Sequence, residues 1–138
     1  MKHIFILLIS FNTAYSFAQK NDDKKIIITF SDTGSIKQKA KEALIKNDFI
    51  LKETGNQDTI ITYPRELIGI PGYAIARVEI ELNTAILSGS YGLKKMNYFG
   101  VTTSPRGYKP ILYFKGSKTW RLLQKVADDM GGKISYGK

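Results

Sequence analysis

Glu79 and Glu81 stand two residues apart in a stretch where charged and apolar residues alternate. On a strand that spacing puts both carboxylates on one face, with Cα atoms roughly 7 Å apart. Inverting glycoside hydrolysis uses two carboxylates at about such a separation. Arg77 shares their face, and a charged strand face in water is screened and solvated, so the pair reads as surface. Asp128 and Asp129 are no better placed, because neighbours on a helix point about 100° apart. Asn21-Asp22-Asp23 lacks the spaced acids and closing glutamate of a calcium loop.

A second chemistry is anion binding. Tyr113-Phe114-Lys115-Gly116-Ser117-Lys118-Thr119 joins an apolar run to a helical pattern, and free amides at a helix start attract negative charge. The stretch is phosphate-loop-like, but Ile111 occupies the place of the first glycine of that motif. Ordinary capping by Ser117 competes with a site made of Lys115, Ser117 and Lys118.

Charge distribution points to the same region. The 138 residues hold 21 Lys and Arg against 12 Asp and Glu, a formal +9. Residues 19–93 carry ten basic and ten acidic residues, whereas residues 94–138 carry ten basic residues against Asp128 and Asp129 alone. Tyr98, Phe99, Tyr108, Tyr113, Phe114, Trp120 and Tyr136 are interleaved with them. Such a segment can neutralise anions and stack flat groups; alternatively Lys94, Lys95, Lys109, Lys125 and Lys133 are solubilising and Phe114 and Trp120 belong to the core. Lys94, Lys95, Arg106 and Lys109 form its first cluster.

Several chemistries are closed by composition. There is no cysteine, hence no disulfide, thiolate nucleophile or cysteine-bound metal. The single histidine is His3, inside a segment with the parts of a secretory signal: Lys2 and His3, the apolar run Ile4 to Phe11, and Ser16-Phe17-Ala18 before a cut at Gln19. Residues 1–18 are therefore expected to be removed, leaving 20 basic against 12 acidic residues, a net +8, and no histidine. Without His or Cys, neither a Ser-His-Asp triad nor a conventional zinc site can be built. The composition, rich in isoleucine and lysine as low-GC bacterial genomes encode, and the signal together predict a periplasmic or extracellular address.

The elements that must position these residues follow from periodicity. Gln19 to Lys25 reads as a mobile lead-in, and residues 26–138 as one domain. Ile26 to Phe30 predicts a buried strand. Ser35, with Gln38 completing a capping box, starts a helix that buries Ile36, Ala40, Ala43 and Leu44 and stops at Asn47-Asp48. Phe49 to Glu53 and Thr59 to Tyr63 predict a hairpin around Gly55-Asn56, and Pro64 to Tyr73 a connecting loop. Val78, Ile80 and Leu82 alternate with charges, predicting an antiparallel strand with one wet face. A turn at Asn83-Thr84 leads into Ala85 to Tyr91, bulged at Gly89. Past the turn signal Ser104-Pro105-Arg106-Gly107, Ile111 to Phe114 predicts a short strand. Gly116-Ser117 then caps a helix with Trp120, Leu123, Val126, Ala127 and Met130 on one face. Gly131-Gly132 ends it, and Ile134 to Tyr136 adds a strand.

This order predicts an α+β two-layer sandwich, two helices packed on one face of a mainly antiparallel sheet. From Ile26 to about Met130 it resembles the TATA-binding-protein-like fold, as in the small domains of the outer-membrane assembly lipoprotein BamC and in small secreted bacterial proteins of unknown function. The lipid-attachment cysteine of that lipoprotein has no counterpart here. The expected function is a non-enzymatic exported domain, without cofactor or metal, that binds an anionic envelope polymer, lipid headgroup or acidic protein. Its expected contacts are Lys94, Lys95, Arg106, Lys109, Lys115, Ser117 and Lys118. Nucleic acid is not expected as a partner, and no segment is long enough to span a bilayer. Two other classes remain open: an envelope adaptor docking through its sheet face, and a small enzyme using carboxylate or lysine chemistry.

Overall fold

A hairpin of two ten-residue strands forms the centre of the molecule. In the computed structural model, which describes residues 18–96, 99, 102–103 and 107–138, strands β5 (Gly72–Glu81) and β6 (Thr84–Leu93) pair along their whole length, from Gly72↔Leu93 to Glu81↔Thr84. β1 (Lys25–Thr29) lies on the other side of β6, and β10 (Lys133–Gly137) on the outer side of β1. β3 (Thr59–Thr62) and β2 (Leu51–Lys52) extend the other edge, giving the order β10-β1-β6-β5-β3-β2. β4 (Arg65–Glu66) pairs with the start of β5 and β9 (Lys109–Pro110) with the end of β6. β7 (Lys95–Met96) and β8 (Thr102–Thr103) form a separate ribbon. All pairings are antiparallel.

Both helices, α1 (Ile36–Lys46) and α2 (Lys118–Met130), cover one face of the sheet. The two-layer α+β architecture and the β2–β3 hairpin agree with the sequence pattern. Ile26, Ile28, Ala74, Ala76, Val78, Ala85 and Leu87 from the strands meet Ala40, Leu44, Trp120, Leu123, Val126 and Ala127 from the helices, all buried. Alanines along β5 and β6 let the helices approach, and Gly89 takes this furthest. A Cβ there would lie 2.9 Å from the Ile111 Cδ1 and 3.1 Å from the Leu123 Cδ1. Gly89 is therefore not a bulge, and the ladder runs through it unbroken as Ala76↔Gly89. The opposite sheet face carries Ile27, Ile61, Ile75 and Ile86 with Ser88, Ser90, Ser135 and the Arg77–Glu79 ion pair.

Other differences from the periodicity have local causes. Leu82 does not point inward. It occupies the turn with Asn83, at φ 51° and 92% exposed, so the turn begins one residue earlier than expected and Thr84 already belongs to β6. Ser35 makes no side-chain cap, because its own backbone is left-handed (φ 73°), and Gln38 bonds Glu42 instead of the helix start. Pro64 to Tyr73 is not all loop, since β4 and the first residues of β5 fall inside it. Only Leu51–Lys52 of the expected Phe49–Glu53 strand forms a ladder. Ile111 to Phe114 is not a strand, although its amides at Ile111 and Tyr113 donate to Gly89 and Asp23 carbonyls.

The expected lead-in, Gln19 to Lys25, is hydrogen-bonded to the rest of the domain, and its last residue opens β1. Gln19 Nε2 donates to Gln124 Oε1 (2.9 Å), Asp22 N to the Tyr113 carbonyl (3.1 Å) and Lys24 N to the Gly137 carbonyl (2.8 Å). The buried Asp23 carboxylate accepts the Lys20 amide at 2.7 Å, and Lys138 Nζ donates to the Asn21 carbonyl at 3.0 Å. Residues 1–17 of the signal segment, and the Ser104–Arg106 part of the later turn, lie outside the described residues. No described helix is long and apolar enough to cross a membrane.

Candidate functional site

The end of the sheet where β5 and β9 begin and β6 finishes gathers most of the basic segment. Pairing of β9 to β6 as Ser90↔Pro110 and Tyr91↔Lys109 brings Lys109 beside the helix-facing Tyr91. The chain then runs past Gly89 and Asp23, to whose carbonyls the Ile111 and Tyr113 amides donate, and turns into α2. The Ser117 amide closes that turn on the Phe114 carbonyl (3.0 Å), and Gly116 takes φ 89°, a conformation that glycine adopts without steric cost. Lys118 opens the helix and reaches toward the β4–β5 loop, where a Cβ on Gly69 would lie 3.6 Å from its Nζ.

Two clefts result, joined at Tyr91. The first, of about 320 Å³, is walled by Ile70, Tyr91, Pro110, Leu112 and Phe114, with Ser117, Lys118 and Thr119 at the helix start. The second, of about 420 Å³, is lined by Tyr91, Gly92, Leu93, Gly107 and three lysines, Lys94, Lys95 and Lys109. Apolar walls with a few convergent polar groups are the usual makeup of a small-ligand site.

The expected site residues divide sharply in what they are free to do. Lys109, Lys115 and Lys118 form no ion pair with any described carboxylate. Lys115 lies on the exposed turn beside Phe114 and lines neither cleft. Lys95 lines the second cleft. Lys94 is spent on structure: its ammonium is ion-paired with Glu66 of β4 and packs 5.2 Å from the centre of the Tyr73 ring. The hydrogen bond that Lys94 donates to the Glu66 carboxylate holds its pKa above the ordinary lysine value. Ser117 is buried, and its hydroxyl accepts the Trp120 amide at 3.1 Å, the N-cap bond an anion would otherwise displace. It also sits 3.2 Å from the Thr119 hydroxyl. Arg106 lies outside the described residues.

Behind the cleft, Trp120 packs between Tyr113 and Tyr136, ring centres 5.6 and 6.2 Å away, and its indole nitrogen has no acceptor among the described residues. Arg121 donates to the Gly116 carbonyl (3.2 Å) and so braces the turn. The remaining basic residues of the segment are dispersed: Lys125 lies on the far half of α2, Lys133 at the start of β10, and Lys138 donates to the Asn21 carbonyl. Among the described residues, no group of three or more His, Cys, Asp or Glu side chains could hold one metal ion. Glu79 is paired with Arg77 at 2.6 Å on the helix-free face, and Glu81 is exposed beside the β5–β6 turn.

Sequence reading did not find the apolar walls. Ile70 and Phe114 are far apart in the chain, Ile70 lay in an expected loop and Phe114 in an expected strand, so no short-range pattern joins them. Glu66, which occupies Lys94, gave no signal either. Comparison of the chain with family models, curated proteins and solved structures gave no match. The chemistry of the site must come from its own residues.

Proposed function

We propose that this chain is an exported binding module, with no catalytic chemistry of its own, that holds an anionic ligand at the cleft end of its sheet. One observation carries the reading: apolar-walled clefts meet lysines, Lys109 and Lys118, that have no carboxylate partner among the described residues. An uncompensated cation beside an apolar wall favours a ligand with a negative head and an apolar part. Contact with the wall adds to the Coulomb attraction that water and salt weaken. Lys94 and Ser117 support the fold around the site, and Lys109 and Lys118 meet the ligand.

Octanoate below its micellar concentration is a suitable probe, titrated calorimetrically beside inorganic phosphate. Octanoate should bind more tightly than phosphate. The Lys109→Gln/Lys118→Gln double variant should weaken octanoate about tenfold, roughly 1.4 kcal/mol, while leaving the melting temperature in place. Absence of octanoate binding, or binding indifferent to both lysines, would refute the proposal.

A further inference from the structure

The same end of the molecule presents its apolar side chains outward. Ile68 on the β4–β5 loop is 88% exposed, Phe99 between β7 and β8 is 90%, Phe114 before α2 is 59% and Leu93 at the end of β6 is 53%. They are half of the eight large hydrophobic residues that are exposed among the described residues; Ile45, Ile50, Tyr63 and Leu82 lie elsewhere, on α1, around the β2–β3 hairpin and at the far turn. Each of the four belongs to a different loop or strand end, so no single helix or strand pattern puts them there. The lysines at positions 95, 109, 115 and 118 stand among them.

Resting on the anion-binding reading of this site, we infer that its partner is the surface of a bilayer containing anionic lipid. Apolar side chains at loop tips interleaved with lysines match the two layers of a membrane interface, acyl chains below and charged headgroups above. Aromatic side chains prefer that boundary. A soluble polyanion would engage the lysines and leave Ile68 and Phe99 in water. Headgroup phosphates meet Lys109, Lys115 and Lys118, Ile68 and Phe99 enter the acyl boundary, and the cleft behind Phe114 receives the ligand's apolar part.

Co-sedimentation of the full chain with phosphatidylcholine vesicles, with and without phosphatidylglycerol, tests this. Variants share the same N-terminal residues, so the apolar run at 4–11 contributes equally to each. The chain should partition onto phosphatidylglycerol vesicles. Ile68→Ser/Phe99→Ser, which touches neither cleft lining, should lower that partitioning roughly ten- to hundredfold and leave octanoate binding unchanged. Phe99→Trp adds a fluorophore to the single buried Trp120, and its emission should shift to the blue on those vesicles. If octanoate binds and vesicles do not, the membrane inference falls and the anion-binding reading stands. If neither binds, both fall. Vesicle binding without a blue shift, and unchanged in the double variant, would mean surface attraction through lysines alone and would overturn insertion.

Discussion

The cleft end and the junction of the two helices use the same kinds of residue to opposite ends. At the junction Lys46 Nζ meets Asp129 Oδ1 at 2.6 Å, and Asn47 donates to Asp129 Oδ2 and to the Ala43 carbonyl, each at 2.8 Å. Leu44 and Met130 are buried beside these contacts. At the cleft end Lys109, Lys115 and Lys118 lack carboxylate partners among the described residues, and Phe114 and Ile68 face solvent. Polar groups satisfied within the fold stabilise it, whereas exposed cations and apolar tips contribute little to stability. The difference separates a region where the chain holds itself from the one where, on the proposed reading, it holds a ligand.

Substitutions should separate the two regions by stability. Leu44→Ala removes a fully buried side chain and should cost roughly 2–5 kcal/mol by denaturant unfolding, whereas Phe114→Ser at the cleft end should stay within about 0.5 kcal/mol. Equal losses would erase the contrast. Ser117→Ala is the intermediate case, a cleft residue with a structural task. Loss of the bond to the Trp120 amide should cost about 1 kcal/mol, with octanoate affinity retained. A stable variant that lost affinity would make Ser117 a ligand contact.

The smallest effect is in pH dependence. Hydrogen bonds from Lys46 and then Asn47 hold the Asp129 carboxyl below the ordinary aspartate range. A group depressed in the folded state stabilises fully above its unfolded pKa, about 3.9, and loses that contribution as pH falls through the lower folded value. Stability should therefore decline below about pH 4 less steeply in Asp129→Asn than in the parent, measured by urea unfolding across the acid range. Parallel profiles would show that the junction's charges contribute nothing. Lys94 works in the other sense. Raised by Glu66, it contributes below the ordinary lysine range and loses that contribution as pH rises through its folded value.

Elements with dense local signals were legible before the fold was known. α2 could be placed because Trp120, Leu123, Val126, Ala127 and Met130 recur at helical spacing between a serine cap and Gly131, which stops the helix at φ 80°. The four buried residues of α1, Ile36, Ala40, Ala43 and Leu44, were equally plain. Where backbone geometry overrides residue type, pattern misled: Ser35 cannot cap from a left-handed conformation, and Leu82 continues an alternation that the turn has already ended. The basic segment was visible as charge, but its division into spent and unspent lysines was not. Lys94 is engaged by Glu66 on β4, a residue 28 positions away that no local pattern connects to it. The clefts depend on pairings of Tyr91 with Lys109 and of Gly72 with Leu93, which no short window of sequence contains.

The contacts that tie Asn21 and Lys24 to Lys138 and Gly137 also make the path of residues 21–138 nearly a closed ring. Lys24 and Gly137 share a hydrogen bond, and Lys138 reaches Asn21. A short linker could join the two, and the chain could be reopened between Leu82 and Asn83, at the end of the sheet away from the clefts. Circular permutation succeeds at exposed turns of this kind, and the cut would release a leucine from the left-handed region it occupies there. Such a permutant would keep every residue of both clefts, while the central β5–β6 pair would no longer be a hairpin.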